Sequence, residues 1–99
     1  MKNLFDIADR VVVVTGGAGI LGRSICDYLA AQGARVAVLD RDAKAGEELV
    51  ASICANGGDA AFFTTDVLDR EVLVKNREEI LAKFGRIDVL LNAAGGNMG

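Results

Sequence analysis

The chain predicts an α/β fold, a doubly wound parallel sheet with helices on its faces, and three observations carry that expectation. Short apolar runs alternate with helical stretches of about a dozen residues, the rhythm of consecutive βαβ units. The first run, Val11-Val12-Val13-Val14, leads straight into the glycine-rich turn Thr15-Gly16-Gly17-Ala18-Gly19-Ile20-Leu21-Gly22. The second ends on an acid, Asp40, 18 residues past Gly22.

Strand 1 is expected at Arg10 to Val14. In the turn, Gly17, Gly19 and Gly22 keep the Gly-x-Gly-x-x-Gly spacing. The first glycine permits the tight turn, the second lets backbone approach a pyrophosphate, and the third lets the helix pack closely on the strand. The helix that opens there, Gly19 to Gln32, offers amides and the positive end of its dipole to phosphate. Leu21, Ile25 and Leu29 form its expected buried stripe, and Gly33 its left-handed stop. Strand 2, Arg35 to Leu39, delivers Asp40, whose carboxylate can accept hydrogen bonds from an adenosine ribose. Helix 2 runs from its N-cap Asp42 to Ala55, buries Leu49, Val50 and Ile53, and stops at Asn56-Gly57-Gly58. Strand 3 is Ala60 to Thr64. Helix 3 follows a second N-cap, Asp69, carries Leu73, Ile80 and Phe84 at helical spacing, and ends at Gly85. Strand 4, Ile87 to Leu91, runs into Asn92-Ala93-Ala94-Gly95-Gly96-Asn97. In a Rossmann-type arrangement the chain reverses after strand 3 and sets strand 4 beside strand 1. The expected sheet is therefore partial, about four strands in the order 3-2-1-4 with three helices, and strand 4 is left as an apolar edge.

At 99 residues, 52% hydrophobic and 25% charged, the chain is one small globular domain, residues 1–99, with no linker or repeat inside it. It reads as a truncated nucleotide-binding domain. A net charge of -3 and the lack of any basic cluster exclude a nucleic-acid partner. No apolar run approaches the roughly 20 residues of a membrane helix, and the N-terminus lacks the pattern of a signal peptide. A cytoplasmic location and no membrane partner are the expectation. Cys26 and Cys54 fall in predicted helices as buried thiols, and with no histidine in the chain no metal site is expected.

The ordered set Thr15 to Gly22, Asp40, Asp66-Val67 and Asn92-Ala93-Ala94-Gly95 resembles the N-terminal half of a short-chain dehydrogenase/reductase, over essentially the whole chain. That family's usual turn, Thr-Gly-x-x-x-Gly-x-Gly, would place glycine at position 20, whereas here Gly19 is followed by Ile20. The shifted glycine and the Asn-Ala-Ala-Gly-Gly-Asn segment are similar to the D-mannonate (fructuronate) oxidoreductase-like branch. The resemblance implies that backbone around Gly16, Gly17, Gly19, Ile20, Leu21 and Gly22 lines a pyrophosphate and that Asp40 sits on the adenosine ribose. It further implies that Asp66 bonds the adenine amino group with Val67 on the ring, and that Asn92, Ala94 and Gly95 border the second ribose. NAD is favoured over NADP, because a carboxylate facing a 2′-phosphate juxtaposes like charges. Arg41 is the competing feature, since it would pair with a 2′-phosphate if Asp40 rotated away.

The family interconverts an alcohol and a ketone with a Tyr acid/base, a Lys four residues later and a Ser. All three are expected beyond the end of this chain. The single tyrosine, Tyr28, is followed at that spacing by Gln32, and Ser24 and Ser52 fall inside helices. The resemblance thus implies an inactive piece of an oxidoreductase whose intact form acts on a small molecule, a sugar acid being one candidate, and assembles as a homo-oligomer. Two other readings stay open. A non-catalytic dinucleotide-binding or sensor module would explain the lack of catalytic groups. A Rossmann-like methyltransferase also places an acid after strand 2, although the three-glycine turn speaks against it. Local alternatives exist as well: Asp66 as part of a helix entry, Asn92 as a turn former, Asp88 as a strand-end charge. The charges Glu71, Arg77, Glu78, Glu79 and Lys83 read as a solvated helix face.

Overall fold

The computed structural model describes residues 7–66 and 68–93. Strands β1 (Val11–Thr15), β2 (Arg35–Asp40), β3 (Asp59–Thr64) and β4 (Val89–Asn92) form one sheet in the order β3-β2-β1-β4, every pairing parallel. Helices α1 (Ile20–Ala31), α2 (Ala43–Ala55) and α3 (Arg70–Phe84) connect them. The expected partial Rossmann-type topology is the observed one.

Central parallel strands are covered on both faces, so their sequence need not alternate. All of β1 is buried, and its side chains divide between two cores. Val12 and Val14 join Val36, Val38, Leu49 and Ile53 on the α1/α2 side, while Val11 and Val13 join Ala37, Leu39, Ile80 and Phe84 on the α3 side. Each such valine, leucine or isoleucine contributes about 1.5–3 kcal/mol on burial. Two helices start on side-chain caps. Asp42 accepts from the Ala45 amide at 3.0 Å. Asp69 accepts from the Glu71 and Val72 amides at 3.0 and 3.2 Å. The α3 stop is Gly85 at φ 85°.

The structure corrects several local expectations. β1 starts at Val11 rather than Arg10, because the Arg10 amide closes a turn onto the Ile7 carbonyl at 3.0 Å. β4 starts at Val89 rather than Ile87: Ile87 packs into the α3-side core, and the Asp88 carboxylate accepts the Val11 amide at 2.8 Å. The stripe expected on α1 is displaced by one residue. Leu21 is 60% exposed, Ile25 and Leu29 are half-buried, and the buried positions are Gly22 and Cys26. The cause is the close approach at Gly22, which turns the small-residue side of α1 onto the sheet. Cys54 is exposed, not buried, with its thiol directed at the Ala60 carbonyl of β3 at 3.8 Å. Gly46 and Asn76 are buried positions that the apolar pattern did not reveal. A side chain at Gly46 would overlap the Phe62 ring, and Asn76 accepts the Thr65 hydroxyl at 2.6 Å.

The sheet faces are unequally covered. Where α3 lies alone, a cleft of about 660 Å³ opens between it and the β1/β4 side of the sheet, with Val13, Leu73, Leu81, Ile87 and Leu90 among its lining. Leu90 is 66% exposed there.

Candidate nucleotide site

Parallel pairing in register brings the carboxyl ends of all four strands to one edge. Thr15 pairs with Leu39 and with Asn92, and Asp40 with Thr64. This is the edge at which open α/β sheets take ligands.

The glycine turn is folded onto the end of β2. The Leu39 carbonyl accepts the Gly16 amide at 2.7 Å and the Gly17 amide at 3.2 Å. The tight turn expected at Gly17 is made by Gly16, whose φ of 69° is the left-handed conformation that favours glycine. Gly17 serves packing instead: an added Cβ would lie 2.9 Å from Val38 Cγ1 and 3.3 Å from Cys26 Sγ. At Gly22 a Cβ would overlap the Gly16 carbonyl oxygen and lie 2.7 Å from Gly17 Cα, as the close-packing role requires. Gly19 is different. Its φ of -73° suits any residue, and a Cβ there would meet only the Gly16 carbonyl oxygen, at an ordinary 3.5 Å. Nothing within the described protein demands glycine at position 19. Gly19 is also the N-cap of α1, which among the described helices alone begins without a side-chain cap. Ile20 and Leu21 point outward, 89% and 60% exposed.

Asp40 stands at the end of β2 as expected, with both carboxylate oxygens engaged. Oδ2 accepts the Ala18 amide at 3.0 Å and Oδ1 accepts the Asp42 amide at 2.9 Å. Arg41 beside it is exposed. Asp66, half-buried past β3, turns its own chain by accepting the Leu68 amide at 3.0 Å, which is the helix-entry role. Asn92 is exposed and accepts the Thr15 hydroxyl at 2.9 Å, tying β4 to β1 beside the turn. Val67, Ala94 and Gly95 lie outside the described residues.

Thr15 and Cys26, which the sequence marks only as the start of the turn motif and as a buried thiol, belong to this neighbourhood, and Cys26 is buried as expected. Thr15 is signalled only by its place between strand and turn. The Cys26 thiol points to the Gly17 carbonyl at 3.9 Å. Burial, with a smaller contribution from the Asp27 charge, pushes it up to about 12, so it is a packing group under the turn and not a nucleophile. Asp88 lies at the opposite end of the sheet, bonded to Arg86 at 2.7 Å, a strand-end charge as expected. No group of three or more His, Cys, Asp or Glu among the described residues could hold a metal ion.

The fold and the turn define a Rossmann-type α/β unit. Residues 10–99 match the short-chain dehydrogenase family, and the chain belongs to it. An uncharacterized oxidoreductase of Bacillus subtilis (strain 168), UxuB, is 44% identical over 92 residues, covering 93% of this chain and 33% of that protein. A Haemophilus influenza protein assigned as a D-mannonate oxidoreductase and solved with bound NAD superposes with a TM-score of 0.88 at 32% identity, covering 94% of this chain and 33% of that one. A metagenomic short-chain oxidoreductase solved in complex with NADP gives a TM-score of 0.81 at 32% identity, covering 86% of this chain and 38% of that one. The chain spans about a third of the length of the curated relatives it matches. No described helix is long and apolar enough to cross a membrane.

Proposed function

We propose that the chain is the cofactor-binding N-terminal part of a short-chain oxidoreductase that interconverts an alcohol and a ketone, with NAD as its preferred cofactor. The observation that carries this reading is Gly19, a glycine that neither its backbone conformation nor any described neighbour requires, at the uncapped start of α1. Amides at that helix start would hold the pyrophosphate, and Asp40 would accept the ribose hydroxyls. Asp66 and Val67 would border the adenine, and Asn92, Ala94 and Gly95 the second ribose. The bound nicotinamide would supply or take a hydride. The acid/base Tyr, its Lys and the Ser come from elsewhere in the intact protein, because Tyr28 is 63% exposed on α1 and Ser24 leans back on the Ile20 carbonyl at 3.4 Å. Relatives named for D-mannonate and for D-threitol support a sugar acid or a polyol as the substrate class, and the intact protein is expected to be a cytoplasmic homo-oligomer.

Isothermal titration of the chain with NAD and NADP tests the reading. Gly19→Val should abolish binding of both while leaving the far-ultraviolet spectrum and melting cooperativity intact. Asp40→Ala should weaken NAD by roughly 1.5–3 kcal/mol, the worth of charge-assisted hydrogen bonds, and NADP by less because a like charge is also removed. Equal losses for both cofactors would overturn the ribose assignment.

A non-catalytic nucleotide-binding module is the second reading, favoured by Tyr28, which is exposed and is followed by Gln32 where a Tyr-x-x-x-Lys pair would need lysine. It requires tight NAD binding with no reduction of NAD by any alcohol offered to the native gene product.

A further inference from the structure

We propose that the Asp40 carboxylate is the latch of the glycine turn: it sets the pyrophosphate-facing backbone as well as meeting the ribose, so one group couples the two halves of the ADP site. Three consecutive turn amides are tied to two consecutive residues at the end of β2. Gly16 and Gly17 bond to the Leu39 carbonyl at 2.7 and 3.2 Å, and Ala18 bonds to Asp40 Oδ2 at 3.0 Å. The first two acceptors are main chain and would be supplied by any residue. The third is a side chain, and it holds the residue that immediately precedes Gly19, the N-cap of α1.

A carboxylate has about four acceptor positions, and the bonds from Ala18 and Asp42 use one on each oxygen. One position per oxygen remains for the two vicinal ribose hydroxyls, so latching and ribose recognition are compatible. The Asp42 bond fixes the carboxylate from the other side, at the first residues of α2, and limits its rotation. Arg41 therefore does not displace it without opening both the turn and the α2 entry. A turn held in this way before the nucleotide arrives has less ordering left to do on binding.

The ligand half of the inference rests on the nucleotide reading above, while the latch itself is a property of the free chain, and the experiment separates them. Amide hydrogen exchange would be followed by NMR in the ligand-free chain for wild type, Asp40→Ala and Asp40→Asn. Loss of the acceptor should speed Ala18 exchange about tenfold or more in Asp40→Ala, with Gly16 and Gly17, held by Leu39, changing less than about threefold. Asp40→Asn, which keeps one acceptor oxygen, should fall between. Unchanged Ala18 exchange, or a uniform rise across all amides, overturns the latch. Titration with ADP and with 2′,3′-dideoxy-ADP then tests the coupling. Asp40→Ala should weaken even the dideoxy nucleotide about fivefold or more, although that ligand offers Asp40 no hydroxyl. A loss confined to ADP shows that Asp40 acts through the hydroxyls alone and overturns the coupling. If wild type binds neither nucleotide, the proposed function falls, and the exchange result alone decides the latch.

Discussion

Three glycines that share one sequence motif answer to different physical demands. Gly22 faces protein backbone, Gly17 faces Val38 and Cys26, and Gly19 faces almost nothing. Gly22→Ala must push the start of α1 off the turn, an overpacking cost of about 1–3 kcal/mol or more. Gly19→Ala changes only the preference at an N-cap and should cost less than about 1 kcal/mol. Urea denaturation of the two variants checks this, and a Gly19→Ala cost equal to that of Gly22→Ala would contradict the assigned roles. The motif itself was legible from spacing, and so were Asp40 and Asn92 at their strand ends. The division of labour among the glycines was not, because spacing carries no distances. The second bond of Asp40, to Ala18, was hidden for the same reason: residues 22 apart in sequence meet only when β1 and β2 pair in register.

At the scale of elements, local chemistry fixed most boundaries to within a residue. Asp42 and Asp69 capped their helices where the sequence placed caps, because an Asp side chain just ahead of a helical stretch accepts the first-turn amides that the helix leaves unpaired. Errors arose where tertiary contact overrode pattern, as in the displaced α1 stripe and the late start of β4. Asp88 is the joint responsible for the latter. Its carboxylate, 15% exposed, receives Arg86 and the Val11 amide, with Arg10 at 3.7 Å, and these partners hold it below its ordinary 3.8. A depressed carboxylate contributes stability that is complete above its unfolded value and is lost as pH falls through the lower folded one. Thermal melts of wild type and Asp88→Asn should therefore differ by a constant amount from about pH 5 upward, with the difference starting to shrink near pH 3.8 and vanishing only further into acid, below the folded value. A difference that persists undiminished at the acid end would show that the carboxylate's charge is not what joins β1 to β4.

Across the whole molecule, the parallel sheet with its crossover helices followed from alternation, because parallel strands need crossovers and those have one hand, while the order 3-2-1-4 needed the glycine turn that marks a Rossmann-type reversal after strand 3. What alternation could not reveal is how unevenly the two faces are filled, since that depends on which helix lies over which strand. The α1/α2 face closes over its valines, whereas the α3 face keeps its cleft open beside β4, with Leu90 two-thirds in water. Apolar concavities that stay open in a folded chain take up fluorescent dyes which report on hydrophobic surface. The native chain should therefore brighten anilinonaphthalene sulfonate saturably at room temperature, and Leu90→Lys should dim that signal while the circular dichroism is unchanged. Dye-monitored melting of this chain would consequently begin from a raised baseline, so that a bright sample at the start of a heating scan signifies the folded cleft and not damaged protein.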